Sequence, residues 1–286
     1  MHYQLPNTAA SSIGSATKSQ KPHYVIIVLT MAVMALEISS SRVHTGAWEV
    51  LLLLLATVGS ISGLAVQLPL QSVLFAALLT ASMGCAAHAL SVLTGIPFGP
   101  IAFGQTIGLK LFKTVPLAMG AVWIVFTFSS RGVARLILRP WRQVPNYGFW
   151  LMGLTAVFTS ALFAALEPFG KLRHFWLWQH TKMRFTWFDA PVLYYFVLSF
   201  MALIILGMIS PFFIRKQPGE SDRSDITPLL VWLGGLAMFL TASIRAGQWN
   251  AVIFDAALMA SVTLPSLRGV FWKTEKTESE SAERTA

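Results

Sequence analysis

The sequence predicts an all-α, polytopic helical bundle embedded in a membrane, with about eight crossing helices and seven as the lower count. Three observations predict it. Of the 286 residues, 55% are hydrophobic and only 12% charged, about half the charged share usual in a soluble domain. The mean hydropathy is +0.63. Apolar runs of helical length recur along the chain, and the stretches between them carry most of the charge. A hydrocarbon layer of about 30 Å takes roughly 20 apolar residues to cross as a helix, and an open sheet there would leave peptide groups without partners.

The elements follow in order. Residues 1–22, rich in Ser, Thr, Gln and Ala, read as a disordered tail ahead of a retained first helix. A single transmembrane domain is expected over residues 23–268, and a charged, disordered tail over 269–286. Its first span runs from His23 to Ile38, the second from Trp48 to Val66 and the third from Gln71 to Leu93, which places His88 one to two turns from its end. The segment TGIPFGPIAFGQTIG, Thr94 to Gly108, has too many glycines and prolines for a continuous helix. Span four is expected from Val115 to Phe128, followed by Arg131, Arg135, Arg139 and Arg142. Span five runs from Phe149 to Leu166, span six from Pro191 to Ile214, span seven from Ile226 to Ile244 and span eight from Trp249 to Leu264. The last two, divided only by Arg245 to Gln248, make either two crossings or one hairpin.

The formal net charge of +9 would suggest a nucleic-acid partner in a soluble protein. Here the basic residues sit between apolar runs, so they are read as topology signals and no nucleic acid is expected. Counted on alternate sides of eight spans, the larger share of Lys and Arg falls with the two termini, which predicts both termini in the cytoplasm. Arg131 to Arg142 reads as part of that signal and as an anchor for lipid phosphates. The same count puts the Gly/Pro segment and the stretch from Glu167 to Pro191 together on the opposite face. Cys85, the single cysteine, rules out an internal disulfide.

The stretch EPFGKLRHFWLWQHTKMRFTWFDAP, Glu167 to Pro191, is the densest in chemistry, with two acids, two histidines, four basic residues and three tryptophans. An interfacial loop would carry such groups without strain. Glu167, placed at the mouth of span five before Pro168, is the candidate proton donor; as a structural residue it would be an exposed acid ending a helix. His88 within its span is either a proton donor or acceptor or a buried histidine bonded to a neighbouring carbonyl. Asp189 is a third catalytic candidate, although an Asp shortly before Pro191 also suits a helix start. His174 and His180 are six apart, which does not put both on one helical face, and no metal site is expected. Glu37, His44 and Glu49 near the ends of the first two spans, and Asp255 in the last, read as solvated ends or helix–helix hydrogen bonds. No P-loop, GxSxG or HExxH is present, nor a GxGxxG followed by an acid at the right distance, so no nucleotide chemistry is indicated.

Two segments resemble the bacterial and archaeal carotenoid biosynthesis membrane protein family, whose members include bisanhydrobacterioruberin-type and related carotenoid hydratases. One is TGIPFGPIAF, Thr94 to Phe103, with Val115, Pro116 and Trp123 following; the other is Leu166 to Pro168, then Trp176 and Trp178, Phe188 and Pro191. Together they cover about Gly84 to Ile214. The resemblance implies a multi-span helical protein of the cytoplasmic membrane that adds water to the isoprenoid end of a linear carotenoid by acid catalysis, without a cofactor. It implies Thr94, Pro97, Phe98, Phe103, Trp123, Trp176, Trp178, Trp187, Phe188, Tyr194 and Tyr195 as the substrate lining, where aromatic faces stabilise a developing cation. This chain departs from the family pattern at four positions. His88 stands where a glutamate is usual, Phe163 and Glu167 where aspartates are, and Tyr194 where an asparagine is.

The expected function is therefore hydration of a carotenoid end group, with the bilayer, a linear carotenoid or other isoprenoid, and other enzymes of the pathway as partners. The replaced carboxylates leave a second reading open, a non-catalytic carotenoid or isoprenoid-lipid binding or assembly protein. A small-solute transporter is a third; it would call for inverted repeats, and no clear internal repeat is seen.

Overall fold

The computed structural model describes residues 21–39, 47–105, 108–179, 185–213 and 225–272. Among them run eight α-helices: α1 (Lys21–Ser39), α2 (Ala47–Gln67), α3 (Leu70–Thr94), α4 (Leu117–Ile137), α5 (Tyr147–Leu172), α6 (Val192–Ile209), α7 (Thr227–Arg245) and α8 (Trp249–Phe271). Seven of them, α2 to α8, are long and apolar enough to cross a membrane. Helix α1 is tied to both ends of α7: His23 Nε2 lies 3.2 Å from Thr227 Oγ1, and Arg245 donates to the Ile38 carbonyl. It thus traverses the same height as a spanning helix. The last two apolar runs form two separate, packed helices rather than a short hairpin. The chain is a multi-pass membrane protein.

Helix α4 is the centre, packed on α2, α3, α5, α7 and α8. Its buried positions run almost without interruption from Met119 to Ser130, as a helix enclosed on all sides requires. It continues to Ile137, so Arg131 and Arg135 lie inside the helix rather than beyond it. The sequence reading ended this span at Phe128 because arginine is costly in hydrocarbon. Arg131 is accommodated by stacking 4.2 Å over the Phe213 ring, and Arg135 donates to Gln67 Oε1 at 3.1 Å.

Helix α5 also runs past its expected end, through Pro168 to Leu172. A proline inside a helix has no N–H to offer the carbonyl four residues back. That carbonyl belongs to Ala164, and the Trp187 indole donates to it instead at 2.9 Å. With the lost bond replaced, the helix continues and Glu167 is buried within it, only 1% exposed. The expectation of a half-solvated carboxyl at a helix mouth is thus corrected.

The connections α3–α4 and α5–α6 lie at one end of the bundle and pair their peptide groups in short antiparallel ribbons, as buried backbone requires. Strand β1 (Ile101–Phe103) pairs with β4 (Trp176–Trp178), with Ile101 opposite Trp178 and Phe103 opposite Trp176. Strands β2 (Lys110–Leu111) and β3 (Val115–Pro116) form a second ribbon, β5 (Thr186–Trp187) and β6 (Ala190–Pro191) a third. The two segments expected to share a face are hydrogen-bonded to each other.

At the same end, Arg173 Nη2 meets Glu37 Oε1 at 2.9 Å and Arg173 Nε meets Glu49 Oε1 at 3.4 Å. The clamp joins α1, α2 and the end of α5, and all three side chains are largely shielded. Removing its cation takes one ion-pair partner from each of two shielded carboxylates. Arg173→Met is expected to lower stability in detergent by about 2 kcal/mol, read as a fall in thermal midpoint that Arg173→Lys partly restores. An unchanged midpoint would remove the clamp from the forces that hold these helices.

Candidate active site

The site is built from the last turn of α3, the start of α4, the end of α5, the β1–β4 ribbon and the start of α6. Helix α3 ends on Gly95, whose φ of 75° supplies the left-handed cap and turns the chain back. Ser91 Oγ then accepts from the Phe98 N–H at 2.7 Å. This return places Phe98 over His88, ring centroids 4.7 Å apart. Phe103, Trp123 and Phe163 complete the surround of His88, at 5.7, 6.3 and 6.4 Å. Gly84 admits the Trp123 ring where any Cβ would overlap it.

His88 is fully buried, and neither ring nitrogen has a hydrogen-bond partner among the described residues. The reading of a histidine bonded to a neighbouring carbonyl is therefore not what the structure shows. An unmade hydrogen bond on a buried polar group costs about 1–3 kcal/mol. The Trp123 indole N–H beside it also has no partner among the described residues.

Glu167 lies one turn from Phe163 on α5, so both face the same way. Its Oε1 accepts two indole N–H bonds, from Trp176 at 2.8 Å and Trp178 at 2.7 Å. Both donors come from β4, where alternate residues point to one side, and WxW is the spacing that delivers two indoles to one atom. Oε2 makes no hydrogen bond among the described residues. Trp178 packs edge-on to Tyr194 at 5.0 Å, and Tyr194 packs on Phe98 at 5.4 Å. Tyr194 and Tyr195 both lie within electrostatic range of Glu167. Tyr195 carries a buried hydroxyl that has no partner among the described residues.

The four positions that depart from the family pattern, His88, Phe163, Glu167 and Tyr194, thus meet in one aromatic cluster. His88 and Glu167 do not touch; they are bridged by rings, His88 to Phe103 to Trp176, whose indole reaches the carboxyl. Both stand at the same end of the bundle.

Other sequence candidates lie further out. Asp189 is the second residue of the β5–β6 turn, with φ of 76°, and pairs with Lys171 at 2.5 Å while 63% exposed. It does not open α6, which follows Pro191 without a side-chain cap. Phe188 occupies the same turn, its ring 5.0 Å from Trp187, and Trp187 serves to complete α5. Pro97 follows a cis peptide in the loop that carries Phe98. Thr94 is exposed and bonds its own helix end. His180 and His44 lie outside the described residues. The sequence reading missed Arg173 as the clamp, because its partners are more than one hundred positions away.

Beside the cluster an apolar cavity of about 110 Å³ lies between α1, α2, α4, α5 and α7, walled by Leu166, Phe169, Trp176, Met119 and Phe239 among others. Trp176 belongs to both: its indole N–H holds Glu167 and its ring lines the cavity.

Fold and site together define a polytopic helical membrane protein with a carboxyl sealed in an aromatic cage near one end of the bundle. The chain belongs to the carotenoid biosynthesis protein family, whose sequence model matches residues 48–262, from the start of α2 into α8. The match extends well beyond the two segments that carry the resemblance. No curated protein and no solved structure matches the chain. Its role lies in carotenoid biosynthesis.

Proposed function

We propose that the protein hydrates the terminal double bond of a linear carotenoid's isoprenoid end group. The observation that carries this reading is Glu167, an acid buried among aromatic rings, with one oxygen fixed by two indoles and the other free to carry a transferable proton. Glu167 Oε2 gives that proton to the less substituted alkene carbon, leaving a tertiary carbocation. The π faces of Trp176, Trp178 and Tyr194 stabilise it. Water adds its oxygen to the cation and returns a proton to the Glu167 carboxylate, so alkene and water become a tertiary alcohol without a cofactor; His88, one layer of rings away, shapes the cage and takes no part in that proton transfer. Asp189, paired to Lys171 at the rim, acts through its charge and not on the reacting atoms.

The end group enters through the apolar cavity behind Trp176, which must swing aside to admit it. The membrane is bacterial or archaeal and cytoplasmic, with both termini inside and the site toward the outer face; reporter fusions at the termini test that orientation. The reaction is tested by expressing the chain in cells that accumulate lycopene-type carotenoids and measuring hydroxylated products by mass spectrometry. Unchanged pigment alongside folded protein would count against hydration. Trp178→Phe, which removes one of the two bonds to Oε1, is expected to lower product formation about tenfold, and an unaltered yield would show that the indole pair does not set the acid's geometry.

A second reading is favoured by one feature. The cage is closed ring against ring, and Glu167 does not line the neighbouring cavity. A binding or assembly protein would hold pigment in that cavity and release it unchanged, and purified protein would then carry carotenoid with no product formed.

A further inference from the structure

Glu167 and Lys171 stand four residues apart on α5, so their side chains leave the same face one turn from each other. Along that face the surroundings change from full burial to water: Glu167 is 1% exposed and the Lys171 side chain 46%. Asp189 closes the step between them. Its Oδ2 pairs with Lys171 Nζ at 2.5 Å, and both charges lie within electrostatic range of the buried carboxyl. Arg173, two residues on, turns instead to its clamp with Glu37 and Glu49. Lys171 thus serves the β5–β6 turn and not the clamp.

The turn that presents Asp189 is strained at its tip and fixed at its base. Trp187 pairs with Ala190, which leaves Phe188 and Asp189 as a two-residue hairpin loop with φ of 47° and 76°. Such a loop favours Asn-Gly, because both positions take the left-handed region that a bulky side chain resists. A phenylalanine there stores strain of the kind found at clamps and switches. The base differs: the Trp187 indole donates to the Ala164 carbonyl at 2.9 Å, its ring lies 5.3 Å from Phe254, and Ala190 and Pro191 are buried. What holds the tip down is an exposed ion pair, an interaction that adds little stability. The tip can therefore lift while the hairpin stays seated.

We infer that the Lys171–Asp189 pair is the aqueous door of the site, through which water reaches Glu167. The inference rests on the hydration reading, which needs a second reactant that an apolar cavity does not hold. The alkene partitions into hydrocarbon and comes by the cavity behind Trp176. Water comes by the rim, one helical turn from the acid. Closed, the door keeps bulk water out of the aromatic cage; open, it admits the molecule that the carbocation captures.

The test uses the full chain purified in detergent and a water-soluble carbodiimide with glycine amide, which labels a carboxyl only where the reagent reaches it. Peptide mass spectrometry reads Glu167 separately from Asp189. Lys171→Met and Asp189→Asn are each expected to speed labelling of Glu167 about fivefold, the shift in an opening equilibrium when an exposed ion pair is lost. Lys171→Cys combined with Asp189→Cys and joined by a bismaleimide is expected to bring that labelling to background and to stop hydration. Both positions are exposed, so the thermal midpoint of the joined protein should match wild type. Labelling at one rate in wild type, single variants and joined protein, or hydration continuing in the joined protein, would overturn the inference. The labelling does not depend on the reaction. A wild type that forms no product, but whose Glu167 labelling follows the door, would count against hydration and leave the door in place.

Discussion

Glu167→Gln is expected to eliminate hydroxylated carotenoid, a loss of about 10²- to 10⁴-fold, the usual contribution of a positioned acid, while the protein remains folded in the membrane. The substitution separates two properties of the residue. The amide oxygen can still accept the Trp176 and Trp178 indoles, which lie 2.8 and 2.7 Å from Glu167 Oε1, so the end of α5 keeps its surroundings. The amide nitrogen cannot give a proton to an alkene. Pigment extracts by mass spectrometry report the chemistry, and elution from size exclusion reports the fold. Product formation equal to wild type would take Glu167 out of the reaction and favour the binding protein.

Gly104→Val is expected to cost about 3 kcal/mol or more and to abolish activity with it, by a route that never touches the acid. Gly104 follows β1 and donates its N–H to the Phe175 carbonyl at 2.8 Å, and a Cβ there would collide with the His174 carbonyl oxygen. A flexible side chain could move aside, but a backbone oxygen in a turn with φ of 53° at His174 cannot. Relief requires β1 and β4 to separate, which carries Trp176 and Trp178 off Glu167. Overpacking of side chains alone typically costs about 1–3 kcal/mol, and collision with backbone stands at or above that range. Thermal unfolding in detergent measures the cost, and loss of pigment conversion in parallel connects the ribbon to the site. Full stability in Gly104→Val would mean that β1 and β4 are not held as described.

The two outcomes differ in kind. Glu167→Gln removes a proton and leaves the geometry, whereas Gly104→Val removes the geometry and leaves the proton. Together they tell a catalyst from a scaffold. If only the second lowers pigment retention and neither changes product, the cavity behind Trp176 is the functional part of the molecule.

Much of this was legible in the chain. The eight apolar runs became eight helices, the described residues of the Gly/Pro segment after Thr94 proved non-helical, and the segment rich in tryptophan supplied both indoles that hold Glu167. What was misjudged is instructive because the errors share a cause. Span four was ended before Arg131 and span five before Pro168, each at a residue that by its own chemistry argues against a helix in a membrane. In the structure each is rescued by a ring from elsewhere. Phe213 lies under Arg131, and the Trp187 indole takes the carbonyl that Pro168 leaves free.

By itself the sequence determined that this protein is a membrane-spanning helical bundle, because hydropathy and segment length are properties of consecutive residues and need no knowledge of neighbours. It also determined which side chains are available for chemistry, since Glu167, His88 and the WxW pair can be read directly. Only the tertiary structure decided that Glu167 is enclosed and that His88 stands across a layer of rings from it. Those properties depend on groups brought together from distant parts of the chain, and burial and hydrogen bonding are set by what packs against a residue more than by what precedes it.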